Sequence, residues 1–459
     1  MVNMNRRDFV KVGASGLALG ALSPMWRPWM MTQKAYAAGP VNPKKLLVIF
    51  MRGGNDGVNT VIPQGDTDYN TTTRPTLFIP DTQSLDLGNS FARLHPAMSS
   101  LHNLFNLGDV ALIHRVGYDN QSRSHFSSQQ YWETGNPGDA SFHEGFLYRY
   151  VVDKFDLDMN PLAAVSLSNK LMEIFSGQEM ITHFPAIENF TLDLGPIGGG
   201  DKLLGLLPDN AVDPPSIGSG MLGWYGQSQG SHGHDALIKE AGVSMGLALN
   251  TLQAQGVDPS TYVPAPGAVY PDDTNPAGFP AASFPFFQKI RDAAILLKNT
   301  DLRIAGVELD GFDTHAGQGA ANGAQAALLS YVSHAIEALS IDLASTWDDT
   351  LVVTLSEFGR TSEENGSVGT DHGESSCMVV AGGGVNGGVY NCDPLTWPTG
   401  SLFSTGNGRY VERVTDFRAV FGEILNKFYS VPIPELDEVF PGYSTYAGDP
   451  TFNFLNFLP

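Results

Sequence analysis

The sequence predicts an α/β fold built around a largely parallel β-sheet. Apolar segments of strand length alternate along the chain with segments of helical periodicity, and this alternation is typical of such folds. The strand segments are continuous apolar runs, such as LLVIFM at 46–51, which indicate strands buried on both faces. The chain has 459 residues, more than one ordinary domain, but α/β enzymes often reach this length as one elaborated domain.

The predicted elements follow in order along the chain. Five apolar runs predict the strands: 46–51, 110–117, 303–312, 350–357 and 377–384. Three segments predict helices: 124–134, 321–344 and 414–428. The longest of these helices has an apolar stripe from Ala324 to Leu339, which favours packing against the sheet. The segment 195–285 is rich in glycine and proline, and we expect an insertion that caps the sheet.

The charge balance excludes several classes of partner. The chain carries 26 Lys and Arg against 48 Asp and Glu, a net charge of −22. Nucleic-acid binding depends on neutralising phosphates with basic residues, so we expect no nucleic-acid partner. Adhesion to an anionic membrane is disfavoured for the same reason. The 26 Phe, 15 Tyr and 6 Trp residues supply ample core material, which argues against disorder.

The first 38 residues have the pattern of an export signal. Arg6 and Arg7 begin a twin-arginine motif, an apolar run of small residues follows, and Ala35-Tyr36-Ala37-Ala38 resembles a cleavage site. The apolar run is too short to span a bilayer core of about 30 Å. We therefore expect export of the folded protein by the twin-arginine translocase, with cleavage after Ala37 or Ala38 and a periplasmic or secreted location. The alternative is an amphipathic N-terminal helix.

Cys377 and Cys392 are the only cysteines. In an oxidising compartment they could form a disulfide. Two buried free thiols are the equally supported alternative.

Residues of metal-ligand type lie beside the ends of the predicted strands: Asp56, Asp313, His315, Glu357, Asp371 and His372. Ligands of parallel sheets bind at the carboxyl ends of the strands, so we expect these side chains to converge. Like charges gathered there are costly unless a cation neutralises them. Carboxylates mixed with imidazoles suit Zn²⁺ or Mn²⁺, and with fewer imidazoles Mg²⁺ or Ca²⁺. The alternative is that these are ordinary turn and helix-cap residues.

Arg123-Ser124-His125 follows the second predicted strand and begins a predicted helix. A serine there lies at the positive end of the helix dipole. Ser124 could be a nucleophile activated by a metal, with Arg123 placed for an anionic substrate. The alternative is that Ser124 is a helix N-cap. His125 could be a ligand, a general acid or a packed histidine.

Five motifs carry a resemblance to a known family: LLVIFMRGGNDGVNTVIP, SRSHFSSQQYWETG, LDGFDTHAGQ, TLSEFGRT and GTDHGESSCMVVAGGGVNGG. On these motifs the chain resembles the domain of unknown function 1501 family over residues 43–430. That family is typically exported with a twin-arginine signal, and distant similarity places it in the alkaline phosphatase/sulfatase-like superfamily. The resemblance implies a three-layer sandwich, with 39–459 as a single domain and 195–285 as its cap.

The superfamily resemblance also implies metal ligands around a nucleophile. Asp56 loosely matches a ligand after the first strand. Asp313 and His315 match the ligands after a middle strand, with a tighter spacing than in typical phosphatases, and His372 matches a late histidine. Glu357 and its successor stand where an Asp-His pair is usual. The Cys-x-Pro-x-Arg motif of sulfatases is missing, which disfavours a standard arylsulfatase.

The main functional hypothesis is an exported metal-dependent hydrolase of phosphate or sulfate esters. The ligand-type residues would hold one or two divalent cations, with Asp371 as a ligand or as the group that orients His372. Ser124 would attack phosphorus or sulfur, and Arg123 would brace the oxygens. A small anionic ester is the expected substrate. The alternative is a catalytically silent, exported binding or scaffold protein, since fold does not determine function; a lyase or transferase is a third interpretation.

Overall fold

A nine-stranded, largely parallel sheet forms the centre of the structure, which is a computed structural model. The structure describes residues 44–157, 160–187, 248, 251–252, 255 and 257–459. The predicted signal segment 1–38 and most of the predicted insertion 195–285 lie outside the described residues. The described residues from Lys44 onward belong to one compact unit.

The strands of the described residues are, in chain order, β1 (Lys45–Arg52), β2 (Val61–Ile62), β3 (Leu85–Asp86), β4 (Arg93–Leu94), β5 (Val110–Gly117), β6 (Ala164–Leu167), β7 (Thr182–His183), β8 (Ile304–Asp310), β9 (Thr350–Leu355), β10 (Ser376–Ala381), β11 (Gly388–Tyr390) and β12 (Thr415–Asp416). The main sheet has the order β11-β5-β10-β9-β1-β8-β6-β7, and β12 also pairs with β5. Strand β10 is antiparallel to both of its neighbours, and the other pairings in this sheet are parallel. A small antiparallel sheet has the order β2-β4-β3. The predicted largely parallel α/β fold is confirmed at this level.

The helices of the described residues are α1 (Gly57–Thr60), α2 (Ser99–Leu107), α3 (His125–Thr134), α4 (Phe146–Lys154), α5 (Phe284–Asn299), α6 (Ala324–Asp342), α7 (Phe417–Glu423) and α8 (Leu436–Val439). Helix α7 continues as a π-helical turn at Ile424–Phe428. Short 3₁₀ segments lie at Pro96–Met98, Glu173–Phe175, Ala281–Ser283, Ala344–Asp349, Ser401–Phe403, Ile433–Glu435, Tyr443–Tyr446 and Pro450–Phe452. Within the described ranges, no helix is long and apolar enough to cross a bilayer.

Helices cover both faces of the main sheet because its central strand is apolar on both sides. Successive side chains of a strand point to opposite faces. Leu47 and Ile49 of β1 therefore belong to one core cluster, which also contains residues of α2, α5 and α6. Val48 and Phe50 belong to a second cluster, with residues of α4, α7 and α8. This arrangement explains the continuous apolar run in the sequence.

Both cysteines are free and buried. Of the two alternatives raised by the sequence, the structure therefore has the free thiols. Burial raises the pKa of the Cys377 thiol to about 12. We infer that this thiol stays protonated and unreactive.

The buried carboxylate of Asp342 anchors the described part of the predicted insertion to the end of α6. Asp342 accepts hydrogen bonds from the hydroxyls of Tyr262 (2.6 Å) and Tyr270 (2.9 Å). It also accepts from the Ala265 amide (2.9 Å) and from Lys298 Nζ (3.0 Å). The segment is thus held to the helix by one fully satisfied acid.

We expect Asp342→Asn to destabilise the protein by about 2–3 kcal/mol, because charged acceptors in buried hydrogen bonds are worth more than neutral ones. Although burial opposes ionisation, hydrogen bonds from Tyr262, Ala265 and Lys298 lower the pKa of Asp342. A lowered folded-state pKa stabilises the protein above the unfolded-state pKa, and this contribution is lost as pH falls below about 4. Urea unfolding should show the difference from wild type in full at pH 7 and shrinking in acid. The partly exposed Asp349, which pairs with Lys44, provides the control Asp349→Asn, and equal effects of both substitutions would contradict the anchoring role.

Candidate functional site

Three turns meet at one edge of the main sheet because their strands are parallel and in register. Arg52 at the end of β1 lies beside Asp310 at the end of β8. Phe50 of β1 lies beside Leu355, the last residue of β9. The turn after β1 packs closely on the turn after β8: a Cβ on Gly53 would lie 2.4 Å from the backbone nitrogen of Asp313, and Gly53 has φ +118°. A glycine is required at this approach.

Asp313, His315 and His372 form a compact cluster at this edge. The Nε2 atoms of His315 and His372 are 2.9 Å apart. Oδ1 of Asp313 lies 3.1 Å from Nε2 of His372 and 3.2 Å from Nε2 of His315. Three ligand-type atoms therefore occupy the corners of one small triangle. The structure brings together these three of the predicted ligands.

The opposite ring nitrogens of the two histidines are held by hydrogen-bond acceptors. Nδ1 of His372 lies 2.7 Å from the carbonyl oxygen of Arg123, which can only accept. Nδ1 of His315 lies 3.2 Å from Oδ1 of Asp371. In the neutral form of either ring these partners hold the proton on Nδ1, which leaves the Nε2 lone pair facing the cluster. Facing lone pairs beside a carboxylate need a shared cation or proton between them.

The sequence suggested Asp371 as a ligand or as the group that orients His372, but in this structure Asp371 contacts His315. Its Oδ1 also accepts from Asn365 Nδ2 at 3.0 Å. Hydrogen bonds from Asn365 and His315 lower the pKa of Asp371 despite its partial burial. The carboxylate therefore stays ionised, as a second-layer partner of a metal-binding histidine would.

His125 joins the cluster from the first turn of α3. Its Nε2 lies 3.4 Å from Oδ2 of Asp313. Ligand-type atoms of His125, Asp313 and His372 all lie within 4.8 Å of one another, a spacing at which they could hold a metal ion. The ring centres of His125 and His372 are 4.5 Å apart, and the rings meet edge to face. The sequence favoured a catalytic role for His125 while leaving a ligand role open.

Glu357 lies behind His125. It is fully buried, and Nδ1 of His125 lies 2.9 Å from its Oε1. It also accepts from Gln129 Nε2 at 2.8 Å and from the Gly53 amide at 2.9 Å. Burial raises the pKa of Glu357, but these hydrogen bonds outweigh it and the pKa is lowered. In this structure Glu357 orients an imidazole, so its predicted role as a direct ligand stays a prediction that this hydrogen bonding does not favour.

The hydrogen bond to Glu357 is also the main reason that the pKa of His125 is raised. With Nδ1 donating to the carboxylate, Nε2 faces Asp313. His125 is therefore held in one orientation, in which its free nitrogen can bind a cation or carry a proton.

Asp56 is held in a separate network. Its buried side chain caps α1 by accepting from the Val58 amide at 3.2 Å. Arg74 Nη1 donates to Oδ2 at 2.6 Å, and Gln318 Nε2 donates to the same oxygen at 2.7 Å. With both oxygens engaged by the chain, Asp56 acts here as a helix cap and ion-pair partner, and the structure does not bring it into the cluster.

Arg360 is a site residue that the sequence reasoning did not single out. Its buried guanidinium donates to Oδ1 of Asp313 at 2.7 Å. It also donates to the carbonyl oxygens of Gly54 (2.7 Å), Phe312 (2.8 Å) and Thr370 (3.0 Å). Arg360 thus ties together the turns that carry the cluster. The sequence signal that could have identified Arg360 is its position shortly after a buried strand, in the motif TLSEFGRT.

The ionised form of Asp313 is strongly favoured. Partial burial opposes ionisation, but the hydrogen bond and the positive charge of Arg360 lower the pKa of Asp313 to about 2. Burial is the main cause that lowers the pKa of His372. An ionised carboxylate beside a neutral imidazole is the protonation state that metal ligation requires.

Ser124 and Arg123 lie at the rim of the cluster. Ser124 occupies the N-cap position of α3, but its side chain makes no capping hydrogen bond. Arg123 Nη1 lies 3.3 Å from Glu374, and its guanidinium carbon lies 5.1 Å from the Tyr410 ring centre. The exposed Ser124 hydroxyl is therefore not committed to the N-cap bond that was its alternative role.

The fold and the site define an α/β protein with a histidine–carboxylate cluster at the carboxyl edge of a largely parallel sheet. A family model described as "Protein of unknown function (DUF1501)" matches residues 253–393. This range contains Asp313, His315 and His372, so the match supports the resemblance over the segment that carries most of the cluster. No curated protein matches the chain.

Proposed function

We propose that this chain is an exported, metal-dependent hydrolase of phosphate or sulfate esters. The observation that carries the proposal is the triangle of Nε2, Nε2 and Oδ1 atoms from His315, His372 and Asp313, with sides of 2.9, 3.1 and 3.2 Å. Two imidazoles and one carboxylate on one face are a common ligand set for catalytic Zn²⁺ and for other divalent transition metals.

The residues of the cluster suit a divalent cation in their donor chemistry as well as in their spacing. Asp313, His315 and His372 would hold it, and His125 would stay outside the ligand set, with its Nε2 beside Asp313 free to accept a proton. When bound, the cation would polarise the ester and lower the pKa of a coordinated hydroxyl.

The chain's own residues would then perform the transfer. The Ser124 hydroxyl would attack phosphorus or sulfur, forming a bond to the serine oxygen as the bond to the leaving alcohol breaks. His125, held by Glu357 at 2.9 Å, would take the serine proton and return it to the leaving oxygen. Arg123 would contact the oxygens of the transferred group. Water would release the group from Ser124 in a second step.

The finer structural and cellular assignments belong to the same proposal. The largely parallel sheet, with ligand-type residues at its carboxyl edge, supports an alkaline phosphatase-like sandwich. The twin-arginine motif and the A-x-A site support export to the periplasm or beyond. The segment 195–285 would act as a cap over the sheet.

Ester hydrolysis by the mature protein, assayed over a panel of phosphate and sulfate esters, tests the proposal. A chelator should abolish turnover, and Zn²⁺ or Mn²⁺ should restore it. Ser124→Ala should lower kcat by about 10³-fold or more, as expected for loss of a nucleophile. The neighbouring Ser127→Ala is the matched control and should retain turnover. Full activity of Ser124→Ala would remove the nucleophile assignment, and no turnover of any ester with metal bound would contradict the hydrolase.

The second candidate is a catalytically silent binding or scaffold protein. Arg360 favours it, because its guanidinium lies 2.7 Å from Oδ1 of Asp313 and neutralises that carboxylate without a metal ion. Glu357, buried with its oxygens engaged by the chain, favours it further. This candidate predicts no turnover and at most a structural cation.

A further inference from the structure

We propose that Arg409, together with Arg123, forms a subsite for an oxyanion group of the substrate beside the histidine–carboxylate cluster. The inference rests on the proposed function in treating the bound anion as part of a substrate. Anion binding at the two arginines is, however, measurable without turnover. The ligand is a phosphate, sulfate or carboxylate group.

The two guanidinium groups lie near the same aromatic ring. The guanidinium carbon of Arg123 lies 5.1 Å from the ring centre of Tyr410, and that of Arg409 lies 5.6 Å from the same centre. Tyr410 is 6% exposed, so the ring is a fixed support. Stacking on an aromatic face orients a guanidinium and leaves its edge free to donate.

The pair is connected to the cluster on both sides. Asp371, whose Oδ1 contacts His315, has its Oδ2 3.6 Å from Nη2 of Arg409. The backbone carbonyl of Arg123 binds Nδ1 of His372 at 2.7 Å. Both residues therefore adjoin the cluster, Arg409 through the contact of its guanidinium with Asp371 and Arg123 through its backbone carbonyl.

Both arginines have donors to spare. The Arg409 side chain is 57% exposed, and its 3.6 Å contact with Asp371 is too long for a hydrogen bond. Across the part of the chain that the structure describes, no hydrogen bond from the Arg409 guanidinium is found. Arg123 is 44% exposed and makes one hydrogen bond, of 3.3 Å, to Glu374. A guanidinium has five N–H donors.

The net negative charge of the protein explains why an anionic substrate would need these two arginines. With a net charge of −22, the protein repels anions at long range, so an anionic substrate needs local positive charge at the site. Forked N–H donors match the geometry of phosphate, sulfate and carboxylate.

The experiment is calorimetric titration of inorganic phosphate and sulfate, at low salt, into metal-free and metal-loaded protein. We compare wild type with Arg409→Gln, Arg123→Gln and the control Arg93→Gln, which alters an arginine of the small sheet paired with Asp81 and Asp86. The expected result is a Kd for phosphate about tenfold higher in Arg409→Gln and in Arg123→Gln than in wild type. The Kd should be unchanged in the control. Arg409→Lys, which keeps the charge but loses the forked donors, should give an intermediate Kd with the fold preserved.

The two forms of the protein distinguish the sources of the oxyanion. Phosphate bound only by metal-loaded protein identifies the transferred group, whereas phosphate bound equally by metal-free protein identifies a second anionic group on the substrate. Either result supports the subsite when Arg409→Gln and Arg123→Gln bind phosphate more weakly than wild type. Phosphate affinity that is unchanged in Arg409→Gln and Arg123→Gln, or absent in wild type, overturns it. If no ester is hydrolysed while Arg409→Gln weakens phosphate binding, the proposed function fails and the subsite stands.

Discussion

Replacing Asp313 by asparagine is expected to abolish tight metal binding and, with it, ester hydrolysis. The carboxylate contributes the only negative charge to the triangle with His315 and His372, and its two oxygens face three histidines. Losing a mere supporting partner of a ligand lowers metal affinity by about 10–100-fold, so loss of the charged ligand itself should exceed about 100-fold. Turnover should then fall by about 10³-fold or more, because the chemistry depends on the cation. Metal content and steady-state rates measure the two effects.

The asparagine variant is chosen because its amide oxygen can still accept from Arg360. The fold should therefore be retained, which urea unfolding verifies. Asp310→Asn is the matched control: Asp310 is the exposed last residue of β8, three residues before Asp313, and its replacement should leave metal content and turnover unchanged. An Asp313→Asn protein that keeps its metal would contradict the assignment of Asp313 as a ligand.

Replacing Arg74 by methionine is expected to lower the free energy of unfolding by about 3–5 kcal/mol, the cost of leaving a buried charge without its partner. Arg74 and Asp56 are both completely buried at the side chain, with Nη1 and Oδ2 2.6 Å apart. Arg74 also donates to the carbonyl oxygens of Thr361 (3.0 Å) and Ser362 (2.8 Å). One side chain thus joins the capped start of α1 to the turn that follows β9.

Denaturant unfolding measures this effect. Two further variants test whether the unpaired buried charge is its cause. Arg93→Met removes an arginine whose carboxylate partners are exposed, and it should cost at most about 1 kcal/mol. Adding Asp56→Asn to Arg74→Met removes the unpaired charge while keeping a good N-cap residue, so it should recover part of the loss. A double variant that is less stable than Arg74→Met would show that the unpaired charge is not the cause.

The central fold could be predicted from the sequence because its strands are buried on both faces. The run at 46–51 became β1 (Lys45–Arg52), and 110–117 became β5 with the same bounds. The long helix predicted at 321–344 is α6 (Ala324–Asp342). Continuous apolar runs of this kind carry a strong signal because no polar alternation is required.

The peripheral strands and several helices, among them α2, α4 and α5, were not predicted. Strand β7 (Thr182–His183) has two residues and β11 (Gly388–Tyr390) has three, so neither offers a periodic pattern of useful length. Helix α4 (Phe146–Lys154) is short, and α5 (Phe284–Asn299) begins within the segment that was predicted to be an insertion. Their positions depend on packing against the sheet, which local propensity does not encode.

The site could be predicted in part. Asp313, His315 and His372 were expected to converge from their positions beside strand ends, and they do. Asp56 and Glu357 have the same sequence signature, but hydrogen bonds from Arg74 and from His125 give them other partners in this structure. Whether a strand-end acid faces a cluster or a buried arginine is decided by residues distant in sequence, so spacing alone could not distinguish the two.

Elemental analysis of the mature protein, purified without chelator or affinity tag, tests the central claim most directly. Wild type, Asp313→Asn and a His315→Ala/His372→Ala variant are measured before and after incubation with Zn²⁺, Mn²⁺ or Ca²⁺. The proposed metal centre predicts one or two tightly held cations per chain in wild type and their loss in both variants. Wild-type protein that neither contains nor takes up a cation, or variants that keep the wild-type stoichiometry, would contradict it and leave the cluster as a set of hydrogen-bonded turn residues.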